Sequence, residues 1–119
     1  MTDGWLSTHV LDTARGCPAA GIKIMLYRVT GNSHKKIAEA VTNADGRTDA
    51  ALLTGEAYRA GGYELVFGAG DYLRATGQVT GEVLFLDVIP IRFGVTDAGA
   101  HYHVPLLLSA YGYSTYRGS

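Results

Sequence analysis

His101-Tyr102-His103-Val104-Pro105-Leu106-Leu107-Leu108-Ser109, followed after Ala110 by Tyr111-Gly112-Tyr113-Ser114-Thr115-Tyr116-Arg117, decides the fold. Successive side chains of a strand point to opposite faces, so Tyr102, Val104, Leu106 and Leu108 share one face and His101, His103 and Pro105 the other. The first face is apolar and suits a core. The second carries imidazoles, which a sandwich places outside its buried layer. In the last segment Ser114 and Tyr116 share a face. The same alternation recurs near the start, where Leu6, Thr8 and Val10 oppose Ser7, His9 and Leu11.

Further strands are expected over Ile22 to Val29, Lys36 to Thr42, Ala50 to Leu53, Tyr63 to Phe67 and Val83 to Phe93. Pro90 points to an edge or a bulge in the last of these. Ala38-Glu39-Ala40 also suits a helix. Thr54 to Gly62 reads as loop or helical turn, and Gly70 to Thr76 as a short helix. Arg15 to Gly21, Gly31-Asn32-Ser33, Asn43-Ala44-Asp45-Gly46 and Gly94 to Ala100 carry turn chemistry. About eight strands at regular spacing predict an all-β antiparallel sandwich.

The 119 residues fit one domain, 1–119, without internal repeats or linkers. A net charge of −1 gives no electrostatic case for nucleic acid or for an anionic membrane. No apolar run approaches the roughly 20 residues that span a bilayer, and Met1-Thr2-Asp3-Gly4-Trp5 lacks the pattern of a secretory signal. Cys17 is single, so an intrachain disulfide is excluded. A cytoplasmic protein is expected. His101 and His103, with His9, have spacing that a metal could use, but no acidic or thiolate partner sits at matching positions, so no metal is expected. A Gly-x-Ser-x-Gly nucleophile elbow is absent from the sequence.

Leu6-Ser7-Thr8-His9-Val10-Leu11-Asp12, Gly16-Cys17-Pro18-Ala19, Thr42-Asn43-Ala44-Asp45-Gly46-Arg47, Gly62-Tyr63-Glu64-Leu65, Ile91-Arg92-Phe93-Gly94, His101 to Ser109 and the terminal Tyr116-Arg117-Gly118-Ser119 resemble the 5-hydroxyisourate hydrolases, the transthyretin-like or transthyretin-related proteins. The resemblance covers essentially the whole chain. Ala110 departs from the family's usual proline and bears on turn rigidity rather than chemistry. The resemblance implies a transthyretin-like sandwich of two four-stranded sheets with one short helix, assembled as a homotetramer, a dimer of dimers with sites in a channel between dimers. It implies ring opening of 5-hydroxyisourate to 2-oxo-4-hydroxy-4-carboxy-5-ureidoimidazoline in urate degradation, without a cofactor. His9, Arg47 and His103 take catalytic roles by that resemblance, with either histidine open as the base. Tyr116, Arg117, Gly118 and Ser119 bind substrate, and His101 is structural or supports its neighbours. A carrier of the transthyretin type, lacking equivalents of His9, Arg47, His103 and the terminal tetrapeptide, is the competing class.

Overall fold

The computed structural model describes residues 4–118. The chain runs β1 (Trp5–Ser7), β2 (Val10–Asp12), β3 (Cys17–Pro18), β4 (Lys23–Thr30), β5 (Ser33–Val41), β6 (Leu53–Thr54), a 3-10 turn at Gly55–Ala57, β7 (Gly61–Gly68), α1 (Ala69–Ala75), β8 (Val88–Val95), β9 (Tyr102–His103), β10 (Leu106–Leu108) and β11 (Tyr113–Thr115). One layer is a four-stranded antiparallel sheet in the order β5-β4-β7-β8. The other comprises two ladders, β6-β1-β9 and β11-β10-β2-β3. Their facing side chains form the core: Leu6, Val10, Leu106 and Leu108 from one layer, Ile24, Leu26, Leu65 and Phe67 from the other. Each of these eight is fully removed from solvent, which stabilises the fold by about 1.5–3 kcal/mol per large side chain. The β-sandwich with one short helix is the architecture expected from the sequence.

The site-bearing layer has two features that alternation does not reveal. First, β1 pairs with β9, and β2 with β10, in parallel. The chain's first and last segments therefore run side by side, an exception to the expected antiparallel order. Second, each long expected strand is interrupted, at Thr8-His9 and at Val104-Pro105. Hydrogen bonds continue across the break: the Val104 amide donates to the Ser7 carbonyl at 2.9 Å, the Leu106 amide to the His9 carbonyl at 2.9 Å, and the Thr8 hydroxyl to the Val104 carbonyl at 2.7 Å. Proline has no N–H to give a ladder. The core parity of Tyr102, Val104, Leu106 and Leu108 holds through the break, but Pro105, expected on an outer face with His103, is buried, with the Thr115 hydroxyl donating to its carbonyl at 2.7 Å.

Elsewhere the differences are local. Lys36 to Thr42 is strand, within β5. Val83 to Phe93 is strand only from Val88, because the Gly70 amide at the start of α1 donates to the Asp87 carbonyl at 2.9 Å and turns the preceding segment outward. Val83 and Phe85 are exposed there. Pro90 lies on the edge strand β8, bonded on one side to β7. Among the described residues no helix is long and apolar enough to cross a membrane.

Candidate active site

The break at Thr8-His9 positions the site. Val10 returns to strand geometry with its side chain buried, leaving His9 half-buried on the outer face. The turn Asn43–Arg47 docks beside it. The Asn43 carboxamide oxygen accepts from the amides of Asp45 and Arg47 at 2.9 and 3.2 Å, an Asx arrangement. The Gly46 carbonyl in turn accepts from the Val10 amide at 2.8 Å. Gly46 has φ 75°, and a Cβ there would lie 2.3 Å from the Val10 carbonyl oxygen. Glycine alone meets both demands.

This docking fixes His9. Its Nε2 lies 2.8 Å from the Asp45 carbonyl oxygen. A carbonyl only accepts, so Nε2 carries the hydrogen. Neutral His9 therefore presents Nδ1 as an unprotonated acceptor. The His103 ring stands across from it, centroid to centroid 6.4 Å. Its Nδ1 is 2.8 Å from the Ser7 hydroxyl, whose oxygen is also 2.6 Å from His101 Nε2. His101 stacks on Trp5, with centroids 4.0 Å apart and planes at 15°. Burial, then the charges of His101, Arg47 and His9, hold the His103 imidazole below its ordinary pKa. His101 is lowered too, by burial and then by Arg117. Both rings are thus neutral at pH 7.

The terminal segment closes one side of His103. The Gly118 amide donates to the His103 carbonyl at 2.7 Å, and the His103 amide to the Gly118 carbonyl at 3.4 Å. A Cβ on Gly118 would come within 2.9 Å of His103 Cδ2. β11 ends at Thr115, so strand alternation does not extend to Tyr116 and Arg117. These two line a groove of about 220 Å³ with Phe93, Tyr102 and Val104, and the Arg117 guanidinium lies 3.8 Å over the Tyr102 ring. Within one chain the structure gathers His9, His101, His103 and Gly118, with Arg47 exposed on the adjoining turn. Arg117 and Tyr116 sit in the neighbouring groove. The expectation for Ser119 lies outside the described residues. Ser7 and Trp5 carry no motif. Their signal was the parity that put Ser7 and His9 on one face. Among the described residues no group of three His, Cys, Asp or Glu is arranged to hold a metal ion.

An imidazole with an open acceptor nitrogen beside a second, neutral imidazole, with a guanidinium nearby, can move a proton and stabilise an oxyanion. Comparison with known proteins gives the setting. A 5-hydroxyisourate hydrolase of Mesorhizobium japonicum is 63% identical over 116 residues, covering 98% of this chain and 93% of its own. The crystal structure of an (S)-allantoin synthase superposes with a TM-score of 0.93 at 44% identity over 99% of this chain. The chain spans only 44% of that protein's length. Sea bream transthyretin, in complex with thyroxine, matches with a TM-score of 0.84 at 28% identity, covering 95% of this chain and 93% of its own. The model of the HIUase/Transthyretin family matches residues 6–118, and the chain belongs to that family.

Proposed function

We propose that this protein hydrolyses 5-hydroxyisourate, with His9 as the general base. The observation that carries this reading is the Asp45 carbonyl on His9 Nε2, which leaves Nδ1 as the acceptor of a ring 6.4 Å, centroid to centroid, from His103. Water gives a proton to His9 Nδ1 as its oxygen bonds to the ring carbonyl carbon. Arg47 and a neutral His103 N–H stabilise the oxyanion. The tetrahedral adduct collapses, the cyclic C–N bond breaks, and His9 returns the same proton to the departing nitrogen. The carboxylic acid so formed releases its remaining proton to solvent, leaving one ring-opened carboxylate and a restored enzyme, with 2-oxo-4-hydroxy-4-carboxy-5-ureidoimidazoline as the chemical outcome. No redox step or cofactor enters this sequence.

Substrate orientation falls to Tyr116, Arg117, Gly118 and Ser119 in this reading, supported by the contact of Gly118 with His103 and by the reach of the Arg117 charge to His101. The single domain 1–119 acts as a homotetramer, a dimer of dimers. Support comes from the edge strands β8 and β11, each bonded on one side only, and from half-buried Leu11 and Leu107 beside exposed Ser114 on the outer face. A second pair of chains over that face turns it into a pocket and exchanges solvent for fixed donors. We place the enzyme in the cytoplasm, in urate degradation.

The test is an absorbance assay on freshly generated 5-hydroxyisourate, with and without chelator. Accelerated decay that survives chelation is expected. Decay at the uncatalysed rate leaves the transthyretin-type carrier. Sedimentation at assay concentration tests the tetramer, and a fully active monomer defeats it.

A further inference from the structure

Three polar atoms sit in a row beneath the site: His101 Nε2, Ser7 Oγ and His103 Nδ1, at 2.6 and 2.8 Å. Ser7 of β1 is in register with His103 of the parallel β9, and His101 immediately precedes that strand. A serine hydroxyl has one hydrogen. Two neutral imidazoles have one ring hydrogen each. The hydroxyl therefore cannot donate to both rings, and the tautomers of His101 and His103 are coupled through it.

We propose that Ser7 and His101 are positioning residues that set the tautomer of His103: His101 Nε2–H donates to Ser7 Oγ, and Ser7 Oγ–H donates to His103 Nδ1, leaving the His103 proton on Nε2. The direction rests on the hydrolase reading given above, in which His9 is the acceptor and His103 must offer a hydrogen to the oxyanion. The geometry carries the rest. The Trp5 indole, stacked at 4.0 Å, fixes the plane of His101 so that Nε2 meets the serine. Gly118 packs against the Cδ2 edge of His103, which prevents the ring from turning away from Ser7. A neutral ring whose Nδ1 accepts a hydrogen bond carries its own hydrogen on Nε2. Here the only side chain bonded to that nitrogen among the described residues is Ser7.

The charged and titratable groups facing His103 are His9, Arg47 and His101, and Arg117 acts on His101. A donor on Nδ1 further disfavours the imidazolium, because the lone pair that would take the proton is occupied.

The experiment has two independent arms. Nitrogen-15 NMR of the histidine rings in the wild-type protein reports the tautomer directly, and a hydrogen on Nε2 of His103 is expected. A hydrogen on Nδ1 overturns the proposal whatever the activity. The second arm is kinetic. His101→Phe keeps a ring on Trp5 but removes the donor, and Ser7→Ala removes the link. Each should lower kcat by about 10²-fold, the scale of a mispositioned group, with KM changed less than about threefold. The acid limb of the pH profile should move to higher pH in both. His101→Gln places an amide N–H near the Nε2 position and should recover kcat to within about fivefold of wild type. Equal losses for Phe and Gln, or full activity with an unshifted acid limb in Phe, overturn the proposal. A wild-type protein that does not accelerate 5-hydroxyisourate decay removes the hydrolase reading instead, and the NMR result then decides the tautomer by itself.

Discussion

Two polar clusters lie three residues apart along one stretch of chain, and they are built for opposite ends. Around Asp12, which is 2% exposed, every donor has a fixed direction. The Tyr72 hydroxyl donates at 2.6 Å, the Gln78 amide at 2.9 Å and the Arg15 backbone amide at 2.9 Å, all to an acceptor-only carboxylate. Burial alone would raise the Asp12 pKa, but the hydrogen bonds from Tyr72, Arg15 and Gln78, with the Arg15 charge, outweigh it and hold the carboxyl below its ordinary value. Tyr72 answers in the other direction, pushed up to about 12 by burial and then by Asp12. Around His9 the groups are imidazoles and a hydroxyl, whose protons can sit on either side of a bond. One cluster ties α1 to β2 and closes. The other leaves imidazole nitrogens open on the outer face. Polarity and burial alone do not separate a scaffold from a site. The freedom of the protons does.

The comparison breaks hardest at the histidines. His9→Ala and His103→Ala should each lower kcat by roughly 10²- to 10⁴-fold, with unfolding curves close to wild type, because neither ring belongs to the core. Steady-state assay beside denaturant titration checks both halves. Loss of fold in either variant would erase the contrast with Asp12.

Asp12→Ala should do the reverse. Tyr72, Gln78 and the Arg15 amide lose their acceptor in a buried place, at a cost of about 2–3 kcal/mol, while kcat of the folded fraction stays near wild type. The sign with pH follows from the lowered carboxyl. Its contribution is complete above the unfolded value near about 3.9, and it fades as pH falls through the lower folded value. The stability gap between wild type and Asp12→Asn should therefore narrow in acid, as urea midpoints from pH 7 downward will measure.

Gly118→Ala sharpens the comparison within the site. The added methyl meets His103 Cδ2 at 2.9 Å, and displacing that ring should lower kcat about tenfold, less than deleting it. The smallest effect concerns His103 in the folded protein. Its lowered pKa means that the unfolded chain takes up a proton first, so stability should rise slightly as pH rises toward about 6.5. NMR titration of the ring, and a reduction of that slope in His103→Gln to the part left by the likewise lowered His101, checks it.

Much of this was legible in the residues. Period-2 alternation assigned Leu6 and Val10 to the core and His9 and His103 to the outside, because the pleat imposes that parity wherever a strand is continuous. Glycine and asparagine marked the Asn43–Arg47 turn for the same local reason. What stayed hidden depends on contacts distant in sequence. Pro105 is buried although the core parity of Val104 and Leu106 continues past it, because β11 lies alongside, with the Thr115 hydroxyl donating to the Pro105 carbonyl. Val83 to Asp87 left the sheet because α1 captures the Asp87 carbonyl. Ser7 looked like an ordinary outward serine until β9 came alongside, and Arg117 looked like strand until β11 ended at Thr115.

The parallel pairing of β1 with β9 has a consequence in time. Ser7 meets His101 and His103 across 94 and 96 residues of sequence, so the proposed reactive centre is also the point at which nearly the whole polypeptide becomes a closed loop. Closing a long loop costs entropy that grows only logarithmically with length, but contacts of high sequence separation slow the search. During synthesis the imidazole of His9 emerges early and waits for His101 and Gly118. The antiparallel sheet of β4, β5, β7 and β8 can be complete by then, since its strands end at Val95. Chemistry in this protein begins only when the two ends of the chain have found each other.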